Sequence, residues 1–348
     1  SMSFRDVVEI VESIRDKIRE TLKSYGELRF SGDLVWYEDE SEERSDVIGV
    51  DSSYSSRAYK FIYLYIIRSV ALPRSSDRDL RSCVQTDSFG DAHFIALPSE
   101  ETGESRGRTP PPVRELKKIL SHRARDLEVE VGYRSYECVY RESREKPLIL
   151  MDGSARSFLP LRFKGGERLP QWEELEETWR RRINILKDLS REANIVFISK
   201  TQSRTYYSQK LTPYIEREDG IVSILVPDVI LIDLYLAKKK IFLEGVRTPG
   251  FTEPVVYKNR DPEQDITIFY AVFQRGDGMF QISMLGNFAR DIDLIRSVYR
   301  RIRFWSLSGY PEPLREAHHL SLLRYRDVER LLQLAGVYIE SGREALEL

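Results

Sequence analysis

Cysteine is nearly absent: the chain of 348 residues has two, Cys83 and Cys138. Two thiols cannot build a disulfide framework or a four-thiolate zinc site, so a reducing cytoplasm is the default setting. Histidine is also sparse, and His93, His122, His318 and His319 lack the clustered Cys/His spacing that zinc requires. The longest apolar run, residues 61–67, is broken by Arg68, too short for a transmembrane helix. The amino terminus reads as a charged, amphipathic helix and not as a secretory signal. There is no Gly-x-x-x-x-Gly-Lys-Ser/Thr loop, no Gly-x-Gly-x-x-Gly and no Gly-x-Ser-x-Gly elbow. Any ATP-driven step therefore belongs to a partner. Net charge is small as well, with 54 basic against 56 acidic residues. Any basic surface must then be local. Of those 54 basic residues 40 are Arg, the side chain suited to planar phosphate and carboxylate recognition.

What is present is core-forming material in a mixed pattern. Apolar residues make up 41%, enough to exclude a disordered chain. Val7, Ile10, Val11, Ile14, Ile18 and Leu22 follow a helical period over 3–24. Residues 25–46 read as irregular. A short strand at 47–50 ends in Asp51, and further strands at 59–72 and 84–97 make an antiparallel meander. A breaker-rich loop at 99–112 precedes a long helix over 113–144. Then come a strand at 148–151 ending in Asp152, a helix at 172–192, and a strand at 195–198 ending in Ser199 and Lys200. This order predicts a mixed α/β core. Beyond it lie a short helix at 227–240, a hairpin around Gly276-Asp277-Gly278, and a helix at 287–305. A helical stretch opening at His318 and a terminal helix at 325–340 complete the chain. With no repeat and no clean linker, residues 1–348 read as one elaborated domain. Residues 1–46 are an amino-terminal extension, 47–323 the core and 324–348 a carboxy-terminal helix.

Three short buried strands end in Asp51, Asp152 and Lys200, and ligands of α/β sheets collect beyond strand ends. A lone strand-end Asp is commonly a turn former or helix cap. Two carboxylates side by side repel, so one pKa rises unless a divalent cation takes both charges. Mg²⁺ or Mn²⁺ prefers such oxygen donors, and paired-metal carboxylate sites serve phosphodiester cleavage. The preceding helix offers Glu128, near its buried face, and Glu130, pointing more sideways. Both also read as ordinary solvated or Arg-paired acids. His318 follows a Gly-Tyr-Pro turn and would be a metal ligand or proton carrier. Arg296, Arg300 and Arg303 form a stripe that would track DNA phosphates, with Tyr299, Phe304 and Trp305 interleaved. The alternative is a solvated helix face.

These pieces assemble into a pattern. It runs Val50-Asp51-Ser52-Ser53, Ala124-Arg-Asp-Leu-Glu128, Leu150-Met-Asp-Gly-Ser154, Ile198-Ser-Lys200, and Gly309-Tyr-Pro-x-Pro-Leu with Ala317-His318. It resembles the NurA family of archaeal and bacterial nucleases across nearly the whole chain. The first motif departs from the family's usual Asp-Gly-Ser but keeps the carboxylate. The resemblance implies an RNase H-like core related to Argonaute nuclease domains. It implies a Mn²⁺-dependent nuclease acting 5′ to 3′ on single- and double-stranded DNA, with single-strand endonuclease activity in some members. It also implies a homodimer working on the nucleoid with HerA, a hexameric ATPase, in resection of double-strand breaks. By position, Asp51 and Asp152 would be metal ligands, Glu128 (or Glu130) the third carboxylate and His318 a further ligand or proton carrier, and Lys200 would lie near the scissile phosphate.

Overall fold

The computed structural model describes residues 4–58, 62–94, 113–159, 171–200, 203–340 and 343–346. The breaker-rich segment at 99–112 lies outside them. The chain opens with helix α1 (Phe4–Gly26), whose apolar stripe from Val7 to Leu22 is exposed. Residues 25–46, expected to be irregular, carry two short strands, β1 (Arg29–Phe30) and β2 (Trp36–Glu38). Then come β3 (Val47–Ala58), β4 (Ile62–Arg74), β5 (Gln85–Phe94) and α2 (Val113–Ser143). The middle of the chain forms β6 (Leu148–Asp152), α3 (Ala155–Phe158), α4 (Gln171–Ser190) and β7 (Ile195–Ser199). A short α5 (Ser208–Leu211) leads to β8 (Pro213–Arg217), β9 (Gly220–Ser223), α6 (Asp228–Lys238), β10 (Gly250–Thr252) and β11 (Val255–Tyr257). The expected hairpin is β12 (Ile266–Val272) with β13 (Met279–Leu285). Helices α7 (Ile292–Phe304), α8 (Glu312–Ser321) and α9 (Tyr325–Leu334) follow, then β14 (Val337–Glu340) and β15 (Arg343–Leu346).

The main sheet is mixed, in the order β2-β10-β12-β13-β7-β6-β3-β4-β5, with β11 also paired to β12. Its centre, β3, β6 and β7, is parallel, and the strands outward on either side are antiparallel. Central parallel strands are covered on both faces, so their residues alternate between two apolar layers. Val47, Leu148, Leu150, Val196 and Ile198 pack with Ile295, Tyr299, Ile302 and Leu314 from α7 and α8. Ile48, Val50, Ile149, Met151 and Phe197 pack with Val129, Val131, Ile183 and Leu186 from α2 and α4. This alternation decides where each functional side chain points.

Three expectations are corrected. The strand from Val47 does not stop at Asp51. It continues to Ala58 by pairing with β4, and only its parallel pairing with β6 ends at Val50. The terminal helix stops at Leu334, and Gly336 (φ 84°) turns the chain into the β14–β15 hairpin. The two cysteines are joined as one disulfide, Cys83–Cys138. With Ser135 Oγ donating to the Cys83 carbonyl at 2.8 Å, it pins α2 to the β4–β5 connection. Among the described residues, no helix is long and apolar enough to cross a membrane.

Candidate active site at the ends of the parallel strands

The β3 alternation carries past its last parallel pair. Gly49 lies on the α8 face, Val50 on the α2 face, Asp51 again toward α8 and Ser52 toward α2. Gly49 is required for this arrangement: a Cβ there would lie 2.3 Å from the Pro313 carbonyl oxygen. Only a strand without a side chain at that point lets α8 lie directly on it. The helix then delivers His318 to Asp51, with Nδ1 2.7 Å from Oδ2. His318 does not open a helix, as expected from the sequence; α8 begins at Glu312, so it sits in the last turn. The other Asp51 oxygen accepts the Ser52 N–H at 2.8 Å. Burial, followed by the charge of Asp152, raises the Asp51 pKa against the lowering effect of Ser52 and His318.

On the opposite face α2 approaches closely because residue 132 is Gly. A Cβ there would meet Val50 Cγ2 at 3.2 Å. One turn earlier, Glu128 is buried and accepts a hydrogen bond from the Ser52 hydroxyl. Burial pushes its pKa up to about 8. Asp51 and Asp152 add to the rise, while Ser52 and Arg125 oppose it. Glu130 is about 200° further round the helix. It pairs instead with Arg181, Oε1 to Nε 2.6 Å. Of the two candidates, the structure brings only Glu128 into the neighbourhood of the aspartates.

Asp152, the last residue of β6, points to the α8 face by the same alternation; part of the residue reaches solvent, but its carboxyl is crowded by the protein around it. Its pKa is raised by the surrounding protein, and Lys200, His318 and a hydrogen bond from Tyr310 pull it back. Lys200, just past β7, holds its ammonium 4.1 Å from the Tyr310 ring centroid. Tyr310 is thus a member of the cluster, its own pKa driven up by burial and by Asp152. In the sequence it stood in a turn and in the last motif, with no role of its own. Ser52 likewise stood in the first motif without a role, and Gly49 and Gly132 were unmarked; a Gly inside a strand or helix was the signal available for those two.

The cluster holds three carboxylates and an imidazole where the parallel pairing of β3, β6 and β7 runs out. Among the described residues no three His, Cys, Asp or Glu side chains are already drawn together tightly enough to grip a cation. The donor set nevertheless fits a hard divalent ion. Its oxygens are carboxylate, and all three carboxyl pKa values are raised by burial and, for Asp51 and Glu128, by the neighbouring acids. A dication removes that penalty.

The arginine stripe has a different environment from the one expected. Arg303 is buried, its Nε donating to the Phe273 carbonyl at 3.0 Å and its Nη1 to the Glu40 carbonyl and to Glu42. Arg300 Nε binds Asp39 at 2.9 Å, and Arg296 lies 3.7 Å from the same carboxylate. The stripe therefore holds the acidic segment 39–42 against α7.

A family model described as the NurA domain matches residues 45–321. Among solved structures the chain is similar to the NurA nuclease from Sulfolobus solfataricus, with 16% identity, a TM-score of 0.59, and coverage of 96% of this chain and 97% of that one. A second NurA structure matches at 14% identity and a TM-score of 0.54, covering 96% and 97% of the two chains. A NurA structure with manganese matches at 14% identity and a TM-score of 0.55, covering 95% and 98%. No curated protein matches the chain. At these identities the structural matches speak for the fold, and the family model spans most of the sequence, so the chain belongs to the NurA family.

Proposed function

We propose that this protein is a metal-dependent deoxyribonuclease. The observation that carries the reading is the convergence of Asp51, Glu128 and Asp152 from β3, α2 and β6, each with its pKa raised. The manganese found with a NurA relative supports a divalent ion as the cofactor. The strand order β5-β4-β3-β6-β7, antiparallel then parallel, is the reason to read the core as RNase H-like.

A divalent ion held here supplies charge neutralisation and a more acidic attacking water. Asp51, Asp152 and Glu128 would be its oxygen donors, and His318 the further ligand or proton carrier. With Nδ1 engaged by Asp51, His318 keeps Nε2 for taking or returning a proton. Lys200, facing Asp152 across Tyr310, would offset charge developing on the phosphate. Mn²⁺ is the preferred ion, with Mg²⁺ an alternative.

Digestion from 5′ to 3′, a homodimer and action with a HerA-type hexameric ATPase in end resection complete the proposal. The missing ATP-binding loop supports the separate motor. Time courses on duplex and single-stranded DNA labelled at either end test it. The proposal expects 5′-terminal label to be released first, only with Mn²⁺ or Mg²⁺. Release of 3′ label first would overturn the polarity, and no cleavage with either ion would overturn the activity.

A further inference from the structure

We propose that Arg315 binds a backbone phosphate of the DNA strand next to the phosphate held at the carboxylate cluster, so that Lys200 and Arg315 grip the strand at neighbouring positions. The inference rests on the nuclease reading and adds to it a residue that positions the strand.

Arg315 belongs to the face of the sheet that carries Asp51, Asp152 and His318. On α8, Leu314 and Ala317 are buried against that face. Arg315 precedes His318 by three residues and is about 60° from it around the helix, so the two share one flank. Glu316 is turned to the other flank, where it pairs with Arg74 of β4. The flank with Arg315 faces Tyr310, and the guanidinium carbon lies 6.0 Å from its ring centroid. Tyr310 donates to Asp152, and the Lys200 ammonium is 4.1 Å from the same ring centroid. The two cations are therefore at most about 10 Å apart. A stacked strand advances about 3.4 Å per nucleotide, so that span reaches a neighbouring phosphate and few beyond it.

Two features set Arg315 apart from an ordinary surface arginine. First, among the described residues no carboxylate pairs with it, although Glu312 lies one turn before it and Glu316 follows it. Second, it shares one ring with another cation. Like charges so placed repel, and the π face offsets only part of that cost. Asp152 offsets the charge of Lys200, but no such partner serves Arg315. Its field does reach the cluster: burial and the aspartates drive the Tyr310 pKa up, and Arg315 pulls it back. An anion lying beside Tyr310 would relieve both cations.

The chemistry of the group selects a phosphate. Arg315 is exposed and permanently charged. A guanidinium lying over a ring keeps its in-plane N–H donors, which match two oxygens of one phosphate. Such a contact fixes the strand's register and carries no base preference.

The test is binding of a short single-stranded DNA to the full chain over a range of salt, in EDTA so that nothing is cut. Arg315→Gln should bind about fivefold more weakly at about 0.1 M salt, with the slope of log K against log salt reduced by about 0.7, the release from one single-strand phosphate. Arg315→Lys should keep the wild-type slope. A neutral methylphosphonate linkage moved along the strand should weaken wild-type binding at one position to which Arg315→Gln is indifferent. Thermal melts establish that each variant is folded. An unchanged slope in folded Arg315→Gln, or the same methylphosphonate profile in both proteins, overturns the proposal. Metal-dependent cleavage by the same wild-type preparation reports separately on the nuclease reading. If that protein cut DNA while Arg315→Gln kept the wild-type slope, only the Arg315 contact would fall.

Discussion

His318 Nδ1 lies 2.7 Å from Asp51 Oδ2, across 267 residues of sequence. The contact exists because α8 rests on β3 at Gly49, so one helix supplies a proton-carrying ring to a strand carboxylate. His318→Ala should slow single-turnover cleavage by roughly 100-fold or more, the usual worth of a positioned acid or base. Its ring is about half exposed, so melting should change little. A cleavage rate equal to wild type would remove His318 from the site.

Gly49→Ala tests the geometry that makes this contact. The new Cβ would meet backbone atoms of Pro313 and Leu314, which cannot swing away as a side chain tip can. A loss of about 1–3 kcal/mol is expected, together with a fall in turnover as α8 lifts His318 from Asp51. Urea unfolding and rate measurements on the one variant check both. Unchanged stability would mean that α8 does not press on β3 there.

Glu128 and Glu130 should separate cleanly. Glu128→Gln removes an oxygen donor and should abolish metal-dependent cleavage. Glu130→Gln breaks a half-exposed pair with Arg181 and should cost about 0–1 kcal/mol of stability while the enzyme still cuts.

The pH dependence carries a definite sign. Glu128 titrates at about 8 in the folded protein against an ordinary 4.5. Between those values the folded state holds a proton that the unfolded chain has released. Stability of the metal-free protein should therefore fall as pH rises from about 4.5 to about 8, and Glu128→Gln should flatten that part of the profile. Metal binding displaces the same proton, so Mn²⁺ affinity should rise over that range. Denaturant titrations at several pH values in EDTA, repeated with Mn²⁺, measure both slopes.

Much of the central architecture can be read from sequence because it depends on local pattern. Short apolar runs ending in Asp152 and Lys200 are buried parallel strands, and the alternation within them fixes their faces. The remainder depends on partners far away in sequence. Asp51 stands inside a longer strand because β4 continues the pairing after β6 has stopped. Nothing around Glu128 announces Ser52 as its partner, which is why Glu130 stayed a rival although Glu128 lies nearer the buried face of the helix. Arg296, Arg300 and Arg303 form a periodic stripe, but their acidic partners at 39–42 lie about 260 residues away.

The fate of that stripe is itself testable. Arg303→Ala leaves two backbone carbonyls and Glu42 without their donor, and should destabilise the protein by about 3–5 kcal/mol. The salt dependence of DNA binding should keep its slope in the folded variant, because this guanidinium faces protein. A slope reduced by about one would place Arg303 on a phosphate instead.

The central claim is that Asp51, Glu128 and Asp152 act together on one metal-dependent cleavage. The most direct measurement is the initial rate of DNA cleavage against Mn²⁺ concentration, for wild type beside Asp51→Asn and Asp152→Asn, each confirmed folded by melting. Wild type should cut with a saturable Mn²⁺ requirement, and neither variant should cut at any Mn²⁺ concentration that saturates wild type. Cleavage by either folded variant at the wild-type rate would contradict the account.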